Sequence, residues 1–277
     1  MTNDNSILAG NLSASDRTRR HRLNIVGDSG PFLILQHGFG TDQSVWRRVL
    51  PSLTPQYRVI LMDLAGAGPN AAQTFDPQRY DEIESYADDL LLILNDLAIS
   101  ECLYVGSSLG AMIGILAAIE RPELFRKLIC IGASPHYLND NNYKGGFDQH
   151  MLDGIYQMMS DDYHGWVSGF APLVVRGGSE PDAVSEFALS LFSLRPDISL
   201  STARAIFQSD FRQRVSLLKT PTVLLQTQND AAVPLAVAEF LRDHIQNATL
   251  EIIQAEGHFP HLSSPSVVSD ALIRHLQ

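Results

Sequence analysis

Six short runs, most of them apolar on both faces and separated by helix-length stretches, constrain this chain more than any other feature: residues 32–37, 58–64, 102–107, 127–133, 222–227 and 249–254. A strand solvated on one face alternates apolar and polar positions. A strand apolar throughout must be buried between two helix layers, which is the arrangement of a mainly parallel sheet. Between the second and third runs, Ile83, Tyr86, Ala87, Leu90, Leu91, Leu94 and Leu97 fall on one stripe of an amphipathic helix. The chain has 277 residues, 45% of them hydrophobic, enough to close such a sheet around a sizeable core.

The alternation breaks once. About ninety residues separate Ala133 from Thr222, where a crossover needs a single helix of roughly a dozen. The excess is helical in pattern, carries Tyr156, Met158, Met159, Tyr163, Trp166, Phe170, Phe187, Phe192 and Phe207, and is broken at Pro172 and at Gly177-Gly178. A helical cap over the carboxyl edge of the sheet, about residues 146–208, accounts for length and apolar content together. About half of its aromatic residues are expected only to pack cap helices against one another. The whole reads as one α/β domain over residues 23–277 behind a flexible polar leader, residues 1–22.

Charge and cysteine content exclude several classes. A formal net charge of −11 opposes phosphate tracking, which needs clustered cations, so nucleic acid is not an expected partner. The one dense basic cluster, Arg17, Arg19, Arg20 and Arg22, reads as part of the solvated leader. Cys102 and Cys130 lie inside apolar runs and read as small core residues of a protein in a reducing compartment. The first twenty residues lack the apolar stretch of a secretory signal, and no run is long enough to span a bilayer. A soluble, cytoplasmic monomer with no membrane contact is expected.

The chemistry centres on Gly106-Ser107-Ser108-Leu109-Gly110, which follows the strand 102–107 and opens a helical pattern running to Arg121. That is the strand–turn–helix setting of a nucleophile elbow, where the serine sits in a strained turn and its flanking residues must be small. A serine hydroxyl needs a base to take its proton, and the fold orders the parts as nucleophile, acid, histidine. Asp230 stands just beyond the strand 222–227, and His258 just beyond the last strand. Both occupy loops at strand carboxyl ends, so the three side chains can meet at one edge of the sheet. Their rivals are Asp140, also beyond a strand, and His261, three residues past His258. His37-Gly38-Phe39-Gly40 follows the first apolar strand, and its Phe39 N–H can pair with that of Leu109 as an oxyanion hole. The Phe39 ring then also walls the pocket.

Competing motifs lack their settings. Gly66-Ala67-Gly68-Pro69-Asn70-Ala71 matches a dinucleotide fingerprint in letters, but no helical pattern opens there. There is no Walker loop, no H-E-x-x-H and no spaced Cys/His set, so neither a cofactor nor a metal is expected.

The run His37-Gly38-Phe39-Gly40-Thr41-Asp42-Gln43-Ser44-Val45-Trp46 resembles the opening of the strigolactone and karrikin receptor hydrolases and of bacterial RsbQ, a clade of the α/β-hydrolases. The resemblance continues through Arg121-Pro122-Glu123-Leu124-Phe125, Ser134-Pro135, Leu138-Asn139-Asp140, Gly145-Gly146-Phe147, Phe170-Ala171-Pro172 and Arg195-Pro196-Asp197-Ile198-Ser199. It implies an α/β-hydrolase fold with a V-shaped cap of four helices, inserted after the sixth strand. It also implies slow hydrolysis of butenolide-type ligands by Ser108, His258 and Asp230, and a signalling protein partner. Phe39, Tyr137, Trp166, Phe170, Phe192 and Phe207 are then expected around the pocket. The sequence departs from those receptors at Ser107, usually histidine, where the smaller hydroxyl is expected to change the pocket's volume and polarity.

Three readings share this apparatus: a hydrolase of small apolar esters or lactones, a ligand sensor with negligible turnover that signals through a protein partner, and another cofactor-free serine hydrolase such as a carbon–carbon bond hydrolase or perhydrolase.

Overall fold

The computed structural model of the chain describes residues 14–277. Seven strands form one sheet: β1 (Asn24–Val26), β2 (Phe32–Gln36), β3 (Arg58–Leu61), β4 (Cys102–Ser107), β5 (Phe125–Ile131), β6 (Thr222–Thr227) and β7 (Ala248–Ile253). Their spatial order is β1-β3-β2-β4-β5-β6-β7, with β1 antiparallel to β3 and every other pair parallel. The central strands β4 and β6 are buried along their whole length, as continuous apolar runs demand. β1 escapes the sequence pattern because three residues on an exposed edge, Ile25 among them, give no period to read.

The longer helices are α1 (Ala14–Arg20), α2 (Glu84–Asp96), α3 (Leu109–Glu120), α4 (Gln149–Asp161), α5 (Tyr163–Val175), α6 (Ala183–Phe192), α7 (Pro196–Phe207), α8 (Leu235–His244) and α9 (Pro265–Leu276). α3 is buried from Leu109 to Ala118 between the sheet and α2. Each large apolar side chain fully buried there is worth about 1.5–3 kcal/mol. This makes the element that starts at Ser108 among the least movable in the molecule.

α4 to α7 form the cap. They follow the fifth strand rather than a sixth, because a single strand precedes Phe32–Gln36 among the described residues. The dinucleotide-like segment does open a helical turn, Ala71–Thr74, where none was expected, but it is four residues long. Among the described residues, no helix is long and apolar enough to cross a membrane.

The basic cluster is not a solvated leader. Residues 1–13 of that leader lie outside the described residues, but α1 packs on α2, and Arg17 pairs bidentately with Asp96, its Nη2 donating to Oδ1 at 2.8 Å. Arg20 donates to the Thr74 carbonyl, and Arg22 Nη1 bonds Asp63 Oδ2 at 2.8 Å. Arg19 remains largely exposed, beside Asp16, and Arg22 is exposed along part of its side chain. The partners are 41 to 79 residues away in sequence, so no local pattern announces them.

Candidate active site

Ser108 joins β4 to α3 with φ +54° and ψ −118°, a conformation that L-residues rarely adopt, and its N–H is tied to the Ile131 carbonyl at 2.8 Å. The glycines two positions either side are required by space. A Cβ on Gly106 would overlap the Gly110 carbonyl, and one on Gly110 would come within 2.6 Å of the Gln36 carbonyl oxygen.

Asp230, in the loop after β6, is held from both oxygens. Its Oδ1 accepts the N–H groups of Ala232 and Val233 at 2.8 and 2.9 Å, and its Oδ2 lies 2.7 Å from His258 Nδ1. Both side chains are at most 5% exposed. A carboxylate can only accept, so Nδ1 carries the proton and Nε2 is left as the acceptor a base requires. The histidine loop after β7 is anchored by Thr227 Oγ1 donating to the Gly257 carbonyl at 2.7 Å. It is also anchored by the His258 N–H donating to Val174 of α5 at 2.6 Å.

One residue at this edge carries no reactive group, and the sequence reading passed over it. Gly132, at the end of β5 with φ +58°, lies against the pair so closely that a Cβ would stand 3.1 Å from His258 Nδ1 and 3.5 Å from Asp230 Oδ2. A glycine directly after an apolar strand on the elbow's edge of the sheet is the signal that could have found it.

The two expected oxyanion donors are free. Neither the Phe39 nor the Leu109 N–H donates to any described residue, while Phe39 shares a cavity with Ser108. His37 fixes the Phe39 loop. Its Nε2 accepts the Leu64 N–H at 2.9 Å, so the proton is on Nδ1, which donates to the Gly38 carbonyl at 2.9 Å. Burial holds its pKa down, against the pull of Asp63. It is a neutral structural pin, not a second base.

The cavity is bounded by Ser108, His258, Phe39, Tyr137, Phe170 and Phe207, with Ile206, Ala232 and Phe259 completing it. It leaves about 20 Å³ to the centre of a water molecule, room for one or two waters. Burial raises the Tyr137 pKa, and the neighbouring Ser108 hydroxyl partly offsets it. Four of the seven expected pocket residues therefore converge: Phe39, Tyr137, Phe170 and Phe207. Trp166, Phe192 and Ser107 do not line it. Trp166 stacks on Phe170 at 4.9 Å, Phe192 stacks on His164 at 4.7 Å, and Ser107 is fully buried with its hydroxyl unpartnered among the described residues. Ser107 itself therefore supplies no part of the cavity wall. Phe259, Ala232 and Ile206 were missed, although each lies within two residues of one that was singled out.

The rival residues stand apart. Asp140 is at the surface, with its carboxyl held below the usual range by the Asn141 N–H and the Arg212 guanidinium. His261 is buried with both ring nitrogens unpartnered among the described residues and stacks on Trp46 at 4.5 Å. Burial, with His258 and His37 adding to it, pushes its pKa down to about 3. The folded state therefore refuses a proton that the unfolded chain takes up near pH 6.5, so stability falls as pH drops from 6.5 toward 3. His261→Phe should recover about 2 kcal/mol of the stability lost between pH 6.5 and 5, read as a flatter profile of urea midpoints across that range.

Among the described residues, no three His, Cys, Asp or Glu side chains are grouped as metal ligands. A parallel sheet with a strained serine between strand and buried helix, and an acid and a histidine on the two following strand ends, defines the α/β-hydrolase class. The chain belongs to that family: the α/β-hydrolase fold model matches residues 31–265. Within it, the chain is similar to the strigolactone esterase D14 of Arabidopsis thaliana, 48% identical over 253 residues, covering 91% of this chain and 94% of the relative. It is likewise 45% identical to the karrikin insensitive 2 receptor CA of Petunia hybrida, with coverage of 92% and 95%. A hydrolase structure from Oleispira antarctica superposes with a TM-score of 0.92 at 31% identity, covering 96% of this chain and 98% of that one.

Proposed function

We propose that this protein hydrolyses small apolar esters and lactones, with Ser108 as nucleophile, His258 as general base and Asp230 orienting the base. The observation that carries the reading is the 2.7 Å Asp230–His258 pair, whose histidine lines the same small cavity as a serine held at positive φ. Ser108 Oγ attacks the carbonyl and His258 Nε2 takes its proton. The developing oxyanion meets the free N–H groups of Phe39 and Leu109. His258 then protonates the leaving oxygen, and water returns through the same base to release the acyl group.

The aromatic wall favours neutral, flat substrates. Similarity to a strigolactone esterase and a karrikin receptor supports a strigolactone- or butenolide-type ligand and a receptor role with a signalling protein partner. A specific contact favours that second role. The cap helix α5 accepts the backbone N–H of His258 itself, so cap movement and the base are mechanically joined. The cavity holds no more than one or two waters, so the cap must open to admit a ligand. We place the protein in the cytoplasm, as a monomer, in keeping with its two free buried cysteines.

The test is to incubate the protein with a fluorogenic butenolide ester and with a plain acyl ester while following intact mass. We expect release of fluorophore and one transient adduct on the peptide containing Ser108 or His258. A long-lived adduct with a shifted melting temperature marks the receptor role. Neither turnover nor any adduct with either ester overturns the hydrolase reading.

A further inference from the structure

Next to the cavity at Ser108, and sharing Phe39 with it, lies a second small cavity that the proposed reaction does not use. Its walls are residues 37–41, the loop 64–67, the start of α3 at Leu109, and Tyr86, Leu194, Ser199 and Thr202. It too leaves about 20 Å³ to the centre of a water molecule. Among the described residues, Phe39 is the one that lines both cavities, so it stands between them.

The lining chemistry is unusual for an apolar interior. Tyr86 is 2% exposed and Ser199 is 1% exposed, yet the Tyr86 hydroxyl and Ser199 Oγ have no hydrogen-bond partner among the described residues. The Thr202 hydroxyl stands close to Tyr86, and the Tyr163 hydroxyl close to Ser199, neither completing a hydrogen bond with that neighbour. A buried hydroxyl with no partner forfeits its hydration without return, so two on the lining of one cavity with room for water call for an oxygen or nitrogen to meet them. Water can fill that role in the empty protein, and a ligand oxygen that replaces such water keeps its hydrogen bonds while adding contact area.

We infer that this cavity is a second compartment of the active site, entered when the Phe39 ring swings aside, and that it binds a neutral oxygen function, a ketone, lactone or ether oxygen, at the far end of a substrate. The inference rests on the hydrolase reading above. It refines the substrate class from small and apolar to apolar with one oxygen acceptor remote from the scissile carbonyl. No cationic side chain lines the cavity, which argues against a carboxylate or phosphate there. Selection by buried hydroxyls is sharp, because a substrate lacking the acceptor leaves them unpaired.

Matched 4-nitrophenyl esters test it: pentanoate against 4-oxopentanoate, and heptanoate against 6-oxoheptanoate, on the wild type, Tyr86→Phe, Ser199→Ala and the double variant. We expect kcat/KM to favour the oxo ester about tenfold at one of the chain lengths. The double variant should abolish that preference and leave the plain alkyl esters within about twofold. Both substitutions remove unpartnered hydroxyls, so melting temperatures should stay level or rise. Binding of 6-oxoheptanamide and heptanamide to the Ser108→Ala protein separates this inference from the hydrolase reading. A preference for the oxo amide that Tyr86→Phe erases supports the compartment even where no ester is turned over. No oxo preference in the wild type, in turnover or in binding, or a preference that survives the double variant, overturns it.

Discussion

Asp230→Asn should lower kcat about 10⁴-fold toward any ester the protein cleaves, with little loss of folded structure. The two oxygens of Asp230 have different duties, and an amide can fill only one of them. Oδ1 accepts two backbone N–H groups, from Ala232 and Val233, so the single oxygen of an asparagine is drawn to that side. Turning it the other way leaves both N–H groups without a partner, at about 1–3 kcal/mol each. The amide nitrogen then faces His258 Nδ1 at the place where Oδ2 stood 2.7 Å away, and it donates. His258 must accept on Nδ1 and carry its proton on Nε2, the nitrogen that has to receive the proton of Ser108. The base is present, ordered and in the wrong tautomer. The check is a pre-steady-state acylation rate with a 4-nitrophenyl ester, together with a urea melt. A rate within tenfold of wild type would mean that Asp230 does not set the tautomer and that the assignment of the acid is wrong.

The parts of this site that were legible in the sequence are those whose position is tied to strand ends. Ser108, Asp230 and His258 each follow an apolar run. Burial of the central strands on both faces makes those runs readable, and a parallel sheet brings their carboxyl ends to one edge. Asp230 and His258 could be preferred to Asp140 and His261 from loop position alone, and the 2.7 Å contact that they make with each other agrees with that preference. Pocket walls were less legible. The direction in which Trp166, Phe170 and Phe192 point depends on how α5 and α6 roll against each other, which no spacing encodes; only Phe170 reaches the cavity, and the other two stack within the cap. The arginines before β1 were misread for a related reason. Arg17, Arg20 and Arg22 find their partners on α2 and on the loop after β3, and a cluster of like charges looks solvated until tertiary structure supplies the opposing groups.

Gly132 and the second cavity belong to a further kind of blind spot. A glycine that leaves room for an imidazole carries no chemistry of its own. Tyr86 falls on the apolar stripe of α2 and reads there as core. Its hydroxyl becomes informative only when the accounting of buried hydrogen bonds finds it unpaired.

Replacing Ser108 by alanine and by glycine should separate reactivity from strain. Both remove the nucleophile, and turnover should fall about 10⁶-fold in each, leaving only what the Phe39 and Leu109 donors and the cavity contribute by binding. The two variants should differ in stability. At φ +54° and ψ −118° any Cβ is crowded by the backbone, so alanine inherits the serine's strain, whereas glycine occupies that region freely. Backbone held in such a region costs about 1–3 kcal/mol, against which glycine loses about 1 kcal/mol through its looser unfolded chain. Ser108→Gly should therefore melt above Ser108→Ala by several degrees, at about 2–4 °C per kcal/mol for a domain of this size. Calorimetry of the two proteins beside the wild type decides it. If glycine is less stable than alanine by the full cost of its looser unfolded chain, about 1 kcal/mol, the elbow is relaxed around Ser108 and the turn stores nothing. If glycine is more stable and equally inactive, the strain is a cost borne for exposing one hydroxyl between the base and the two free N–H groups, and the rigidity of α3 beneath it is what keeps that hydroxyl in place.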